Sequence, residues 1–492
     1  MGSIALATLM LLVLCLVAGR PQVFSDTKSY YALGQEVAGT LGPAPADPAA
    51  STTALRGHAL PPAEAKAATR LAYTVSASRS PYWSVLFYLA ASLGTAWLVV
   101  VAQALVAAIV LWIAVRALGV AHAYLPLVAG LALLSSLPVE VMFVMPDLFA
   151  GLTILAALAL LVGRARLTRP EAVILWLTMA AGALFHTSHL LVLGVLGAGT
   201  LVVALICRGA GEFRRPGIAM LTAAVVALVG ASAFPLAVRA IRGEPIYAPP
   251  FVAARLIADG PGRQLLRADC ADPQAGGGQA WGWCPYARLP LDDVNTILWD
   301  TNPRVASFQA ADYDRRVRII GEQRRFVLAV VRRYPGEVAR TVLANVVHLF
   351  GRYGTDETLG DPTSHYRDPR FAVFARIVPG TGACVAGQAS CAPRVDLALL
   401  DAVIGWTLLA SIAGIAALLA TARTRRVEWR TAATFLLAAL VLNALICGGI
   451  SGNAERYQSR VTWLIPLLAG AMLAERSARR TVRAAIPQIR SV

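Results

Sequence analysis

The sequence predicts an all-α polytopic membrane protein of about ten transmembrane helices, with an α-rich extracytoplasmic domain between the seventh and eighth. Composition, the spacing of apolar runs and the placement of arginines predict it. Of 492 residues, 57% are hydrophobic and 15% charged. Soluble domains have roughly 45–50% and about 25%. Helices that face lipid need no polar side, so the departure has the sign of a membrane protein. Basic residues outnumber acidic ones by 44 to 28, for a net charge of +16. In such a chain the excess first orients the loops. A nucleic-acid partner would want a basic soluble domain with a recognisable module, and the sequence has none.

A crossing takes about 20 apolar residues. Residues 2–19 make the first. They also have signal-peptide length, but no basic residue precedes them, and cleavage would leave the downstream topology unchanged. The run 82–117 holds one crossing or two, and charge parity decides. With one crossing, five arginine groups share a side: Arg116; Arg164, Arg166 and Arg169; Arg208, Arg214 and Arg215; Arg423, Arg425, Arg426 and Arg430; and Arg476, Arg479, Arg480 and Arg483. The positive-inside rule makes that side cytoplasmic. An interfacial or re-entrant lead-in to about Gly94 therefore precedes one spanning helix. Residues 122–162 give two crossings around "VEVMFVMPD", 171–206 two more around "HTSH", and 217–236 the seventh. Residues 397–421, 431–449 and 460–475 complete the set.

Three parts follow. Residues 1–236 form a transmembrane module with an extracytoplasmic loop at 20–81, 237–396 an extracytoplasmic domain, and 397–492 the last three crossings and a basic cytoplasmic tail. Both termini are then cytoplasmic. The segment 35–70, rich in Ala, Pro and Gly, predicts short surface helices and a flexible tip. The domain predicts helices over "DYDRRVRIIGEQRRFVLAVVRRY" and "PGEVARTVLANVVHLFGRYG". Seven cysteines are present. Cys15, Cys207 and Cys447 sit in or at the ends of apolar runs and read as core thiols. Cys270 with Cys284, and Cys384 with Cys391, are close pairs in polar sequence, suggesting disulfides and an oxidising compartment.

Four stretches on one predicted side carry a resemblance. "FSDTKSYYALG" sets Asp26 a few residues before Tyr and Ala, just past the first crossing. "SRSPYWSVLFYLAASLG" sets Arg79, Pro81 and Tyr82 at the start of a long apolar run. "PVEVMFVMPDLFAGLTILAALALL" opens a helix with Asp147. "GNAERYQSRVTWLIPLLAG" puts Arg-Tyr before a late helix. In this order they resemble the GT-C superfamily of membrane glycosyltransferases, most closely the protein O-mannosyltransferase and aminoarabinose lipid A transferase branch. The likeness covers residues 1–240 best and the last 45 weakly. It does not extend to the 237–396 domain, although a large periplasmic loop after helix seven is familiar in the superfamily.

The resemblance implies a GT-C-like fold in a bacterial inner (plasma) membrane and an inverting glycosyltransferase. The donor is a polyprenyl-phosphate-linked sugar. The acceptor is an extracytoplasmic lipid, glycan or protein, and the active site faces the periplasm. No cofactor is certain, and a divalent metal stays open. Family members often pair two adjacent acids where this chain has Asp26, Thr27 and Lys28.

Glycosyl transfer needs a carboxylate beside the attacking atom, to take its proton or orient it. Asp26 is the first candidate and Asp147, facing it across a cavity, the second; Glu140 is weaker. Each aspartate also stands where it would cap a helix. A phosphate leaving group needs positive charge as its bond to carbon breaks. Arg79, Arg456 and Arg460 offer the planar fork that matches phosphate, with Arg239 and Arg242 as further candidates. Lys28, Tyr30 and Tyr82 stand beside these motifs as donor- or substrate-binding residues, with Lys28 equally placed to face water instead. His186 and His189 are one helical turn apart; they bind donor or sugar, hydrogen-bond within the turn, or supply two ligands to a metal. The arginine-rich run 315–340 is amphipathic, suited to anionic headgroups, to covering the cavity, or to the face of a packed domain. A polytopic transporter or lipid flippase for cell-envelope precursors is the alternative class, and a non-catalytic assembly factor a third. Against a transporter stands the absence of an obvious repeat between the halves.

Overall fold

The computed structural model describes residues 2–41, 79–207, 210–242, 248–270, 281–300, 302, 304–305, 307–363, 366, 372–421 and 426–489. Most of the 35–70 segment, and Arg208, Arg423 and Arg425, lie outside them. Among the described residues the chain is helical, and its one β-bridge pairs Gln22 with Phe143.

Six helices are long and apolar enough to cross a membrane: Trp97–Ala117, Leu148–Arg166, Thr187–Ile206, Gly211–Ala240, Leu397–Thr421 and Val427–Ser451. The other expected crossings fall on shorter or mixed helices. Residues 2–19 divide into Gly2–Leu11 and Val13–Ala18. Tyr124–Leu134 ends at Ser135, whose backbone is extended. Arg169–Phe185 has 17 residues, and Leu464–Ile489 carries charged residues through its second half.

The expected lead-in is a separate helix, Pro81–Ser92. Ser80 caps it, accepting from the Trp83 amide at 3.4 Å, and the Ser80 hydroxyl donates to the Leu184 carbonyl at 2.7 Å. Pro81 fits the first helical turn, where an N–H is not needed. The helix ends at Gly94, whose φ of 87° suits glycine. Trp97–Ala117 then begins anew.

Leu148–Gly163 is buried along almost its whole length, so it is the central helix. Small residues let neighbours approach it, as in membrane helix packing generally. Gly151 faces the Trp463 indole and Gly163 faces Ala117. The segment before this helix is held by backbone pairing: Gln22 donates to Met142 O, and Val144 donates to Gln22 O, each at 2.9 Å. Gln103, from Trp97–Ala117, donates to Val141 O and Phe143 O at 2.9 and 3.0 Å. These bonds fix the exit of the first segment beside the start of the central helix.

The polar stretch contributes to two cores. Residues 253–330 have their own, around Trp281, Trp283, Phe308, Ile319 and Phe326. Leu359, Tyr366, Phe374 and Val378 instead join the core of the helical bundle, where Phe374 stacks on Phe87 at 6.2 Å. The two expected helices are Tyr313–Arg333, capped by Asp312, and Pro335–Phe350. Disulfides join Cys270 to Cys284 and Cys384 to Cys391. Cys15 and Cys447 are buried, but Cys207 is exposed, because it lies at the end of its helix rather than within the bundle.

Gly151 gives a test of the packing. A Cβ there would come within 2.6 Å of Trp463, an indole fully buried and held by its N–H to Arg460 O at 3.0 Å. Gly151→Ala should cost about 1–3 kcal/mol, as overpacking does, read as a lower thermal unfolding midpoint in detergent. An unchanged midpoint would contradict this contact.

Candidate functional site: an arginine–carboxylate floor beneath a cavity

Asp26 precedes the Thr27–Leu41 helix, and its carbonyl accepts the Ser29 and Tyr30 amides at 2.9 and 3.2 Å. It therefore occupies the capping position. Its carboxylate does something else: Arg79 lies 2.5 Å from it and Arg456 3.5 Å. Arg79 immediately precedes the Ser80 cap, and its guanidinium lies 5.8 Å from the centre of the Tyr30 ring and 5.9 Å from Trp299.

Arg456 begins the Arg456–Thr462 helix and reaches three acids. Besides Asp26, these are Asp147 at 4.0 Å and Glu357 at 3.7 Å. Its guanidinium lies over Phe24 at 4.4 Å and near Tyr457 at 5.0 Å. Arg460 follows four residues later, on the same helical face. It is fully buried and pairs with Asp147 at 3.1 Å. It also donates to Ser188 Oγ at 3.0 Å, Asn443 Oδ1 at 3.3 Å and Cys447 Sγ at 3.2 Å. Asp147, too, stands at a capping position without a side-chain cap, its carboxylate being taken by Arg460.

Above this floor lies a cavity of about 1330 Å³, between the bundle and the polar domain. Asp26, Lys28, Arg79 and Arg456 line it from the bundle side, and Asp292, Trp299 and Asp300 from the domain. Burial pushes the Asp26 carboxyl up, but Arg79 and Arg456 together outweigh it and hold it below the usual carboxylate range. Burial pushes Glu357 above that range, with Arg456 opposing. One arginine thus sits between acids of opposite tendency.

Several expectations change. Asp147 does not face Asp26 across the cavity. It is 2% exposed and lies beneath the floor with Arg460, because Arg456 stands between the two acids. Tyr30 is buried beneath Arg79. Tyr82 turns away, its hydroxyl donating to Gly230 O at 2.8 Å. The histidines form a layer behind Arg460: His186 Nδ1 lies 2.8 Å from Ser188 Oγ, and the rings are 5.0 Å apart. His189 Nδ1 lies 3.0 Å from the Gly182 carbonyl. A carbonyl only accepts, so that nitrogen carries the proton. Glu140 accepts from Ser459 Oγ at 3.4 Å. Arg239 is exposed, and the side chain of Arg242 lies outside those described.

Much of the 315–340 run is committed to its own domain. Buried Arg316 donates to Ala311 O at 2.9 Å, Arg325 lies over Trp281 at 4.8 Å, and Arg333 pairs with Asp269 at 2.9 Å. Sequence reasoning missed Glu357, Phe24, Trp299 and Tyr457. Tyr457 lay within the quoted Arg-Tyr motif; Glu357 carried no spacing signal. Among the described residues, no group of three His, Cys, Asp or Glu side chains is arranged to hold a metal ion. The chain matches no family model, no curated protein and no solved structure.

Asp147→Ala leaves Arg460 buried without its carboxylate and should cost about 3–5 kcal/mol, while Asp147→Leu combined with Arg460→Met should cost less than either single change. Thermal unfolding of the variants measures this, and strict additivity would contradict the pairing. A lowered carboxyl stabilises fully above its ordinary value of about 3.9, and the contribution is lost as pH falls through the lower folded value. The stability gap between wild type and Asp26→Asn should be whole at neutral pH and shrink from about pH 4 downwards. A gap independent of pH would contradict it.

Proposed function

We propose that the chain is a GT-C-like, inverting glycosyltransferase that moves a sugar from a polyprenyl-phosphate donor to a lipid, glycan or protein acceptor. On this reading about ten segments meet the membrane, six of them as long helices. Both termini face the cytoplasm, and the cavity faces the periplasm of a bacterial inner membrane. One observation carries the reading: Asp26 meets Arg79 and Arg456 on the floor of a cavity that lies at the Asp147 end of the central helix, away from Arg164. A polyprenyl phosphate brings its anion to the membrane surface, the depth at which that floor would lie.

The acceptor oxygen or nitrogen attacks the anomeric carbon from the face opposite the phosphate. The bond from carbon to phosphate oxygen breaks, and its electron pair leaves with the polyprenyl phosphate. Arg79 and Arg456 stabilise that developing charge as fixed, preorganised donors. The acceptor's proton moves to Asp26 and then to water. A carboxylate held below its usual range keeps a proton poorly, so Asp26 acts chiefly by orienting the nucleophile. Asp147 and Arg460 lie beneath and hold Arg456 in place.

The test uses purified protein in lipid nanodiscs with radiolabelled polyprenyl-phosphate sugar and cell-envelope extract as acceptor. Asp26→Asn should lower transfer by about 10²–10⁴-fold, the usual worth of a positioned acid–base group, while donor binding persists. Undiminished transfer would remove Asp26 from the mechanism.

A further inference from the structure

A second concavity, of about 760 Å³, lies at the other end of the central helix. Leu148–Gly163 has 16 residues, which separates the two cavities by about 24 Å at 1.5 Å per residue. Arg164, Arg166, Arg214 and Arg215 line it, against Glu212 and Glu428. Arg166 is already engaged, donating to Ala117 O at 3.0 Å and pairing with Glu428 at 3.1 Å. Arg164, Arg214 and Arg215 are exposed, and no ion pair involves them among the described residues.

The remainder of the wall is mostly apolar, with Leu161, Phe213 and Val427 beside Thr431. Val427 is 74% exposed. Three membrane-length helices, Leu148–Arg166, Gly211–Ala240 and Val427–Ser451, have an end at this place. In a bilayer their ends lie at headgroup depth. The concavity therefore combines free cations at headgroup level with apolar side chains beside them. A phospholipid matches that division: arginine pairs well with phosphate oxygens, and acyl chains cover exposed apolar residues.

We propose that this concavity binds the phosphate headgroup of an anionic membrane phospholipid, held by Arg164, Arg214 and Arg215. The inference needs the membrane reading alone and stands whether or not the chain transfers sugar. Basic residues near an anionic surface each contribute several-fold to affinity. Replacing all three should therefore weaken retention by roughly a hundredfold.

Native mass spectrometry of the full chain tests it, with phosphatidylglycerol, phosphatidylcholine or inorganic phosphate added in turn. Wild type should retain phosphatidylglycerol well beyond phosphatidylcholine. R164A/R214A/R215A should lose that preference, and R164K/R214K/R215K should keep part of it. R267A/R304A/R394A, exposed arginines of the polar stretch outside the 315–340 run, should leave it unchanged. Equal retention of the two lipids by wild type would overturn the proposal without recourse to any variant. Equal retention of phosphatidylglycerol by the triple alanine variant would overturn it also. Displacement of the lipid by equimolar inorganic phosphate would assign the site to free phosphate instead.

Discussion

Two arginines one helical turn apart hold the architecture together. Arg456 reaches Asp26, Asp147 and Glu357. Arg460 reaches Asp147, Ser188, Asn443 and Cys447. These partners come from the first loop, the start of the central helix, the polar stretch and two further helices. A buried guanidinium without partners is costly, and one at a membrane boundary especially so. Each segment is therefore confined by charge as well as by packing. The Gln22–Phe143 bridge and the Gln103 bonds add neutral restraints on the same region.

This arrangement gives the floor two layers with different duties. Asp147 and Arg460 are almost sealed from solvent and form a fixed pair. Asp26 keeps 22% of its side chain exposed and shares two arginines. An anion arriving in the cavity would compete with Asp26 for Arg79 and Arg456, freeing the carboxylate for a second ligand. The layer beneath keeps Arg456 in position during that exchange. Charge exchange of this kind asks for little backbone movement, which suits a floor built on paired helices.

Much of this was legible in the sequence. Long apolar runs gave the six membrane-length helices, and Gly94 marked the break before Trp97–Ala117. Asp26, Arg79, Asp147, Arg456 and Arg460 were readable as boundary charges against an apolar background, and the structure gathers all five. The layering was not readable. Whether Asp147 lines a cavity or lies under it depends on where Arg456 sits, a contact across about 300 residues that no local pattern carries. Glu357 was hidden for the same reason. Tyr82 looked like a site residue by its place beside Arg79, yet helical rotation turns its hydroxyl to Gly230. The polar stretch read as one domain, but Phe374 and its neighbours pack on the bundle instead.

On the proposed reading, the floor of the Asp26 cavity receives a lipid-borne phosphate. The most direct measurement is an experimental density map of the protein with a polyprenyl phosphate. Phosphate density should lie within hydrogen-bond distance of Arg79 and Arg456, with the chain leading out to lipid and Asp26 facing the open side. Lipid phosphate bound elsewhere, with the Asp26–Arg79 and Asp26–Arg456 pairs intact, would contradict it.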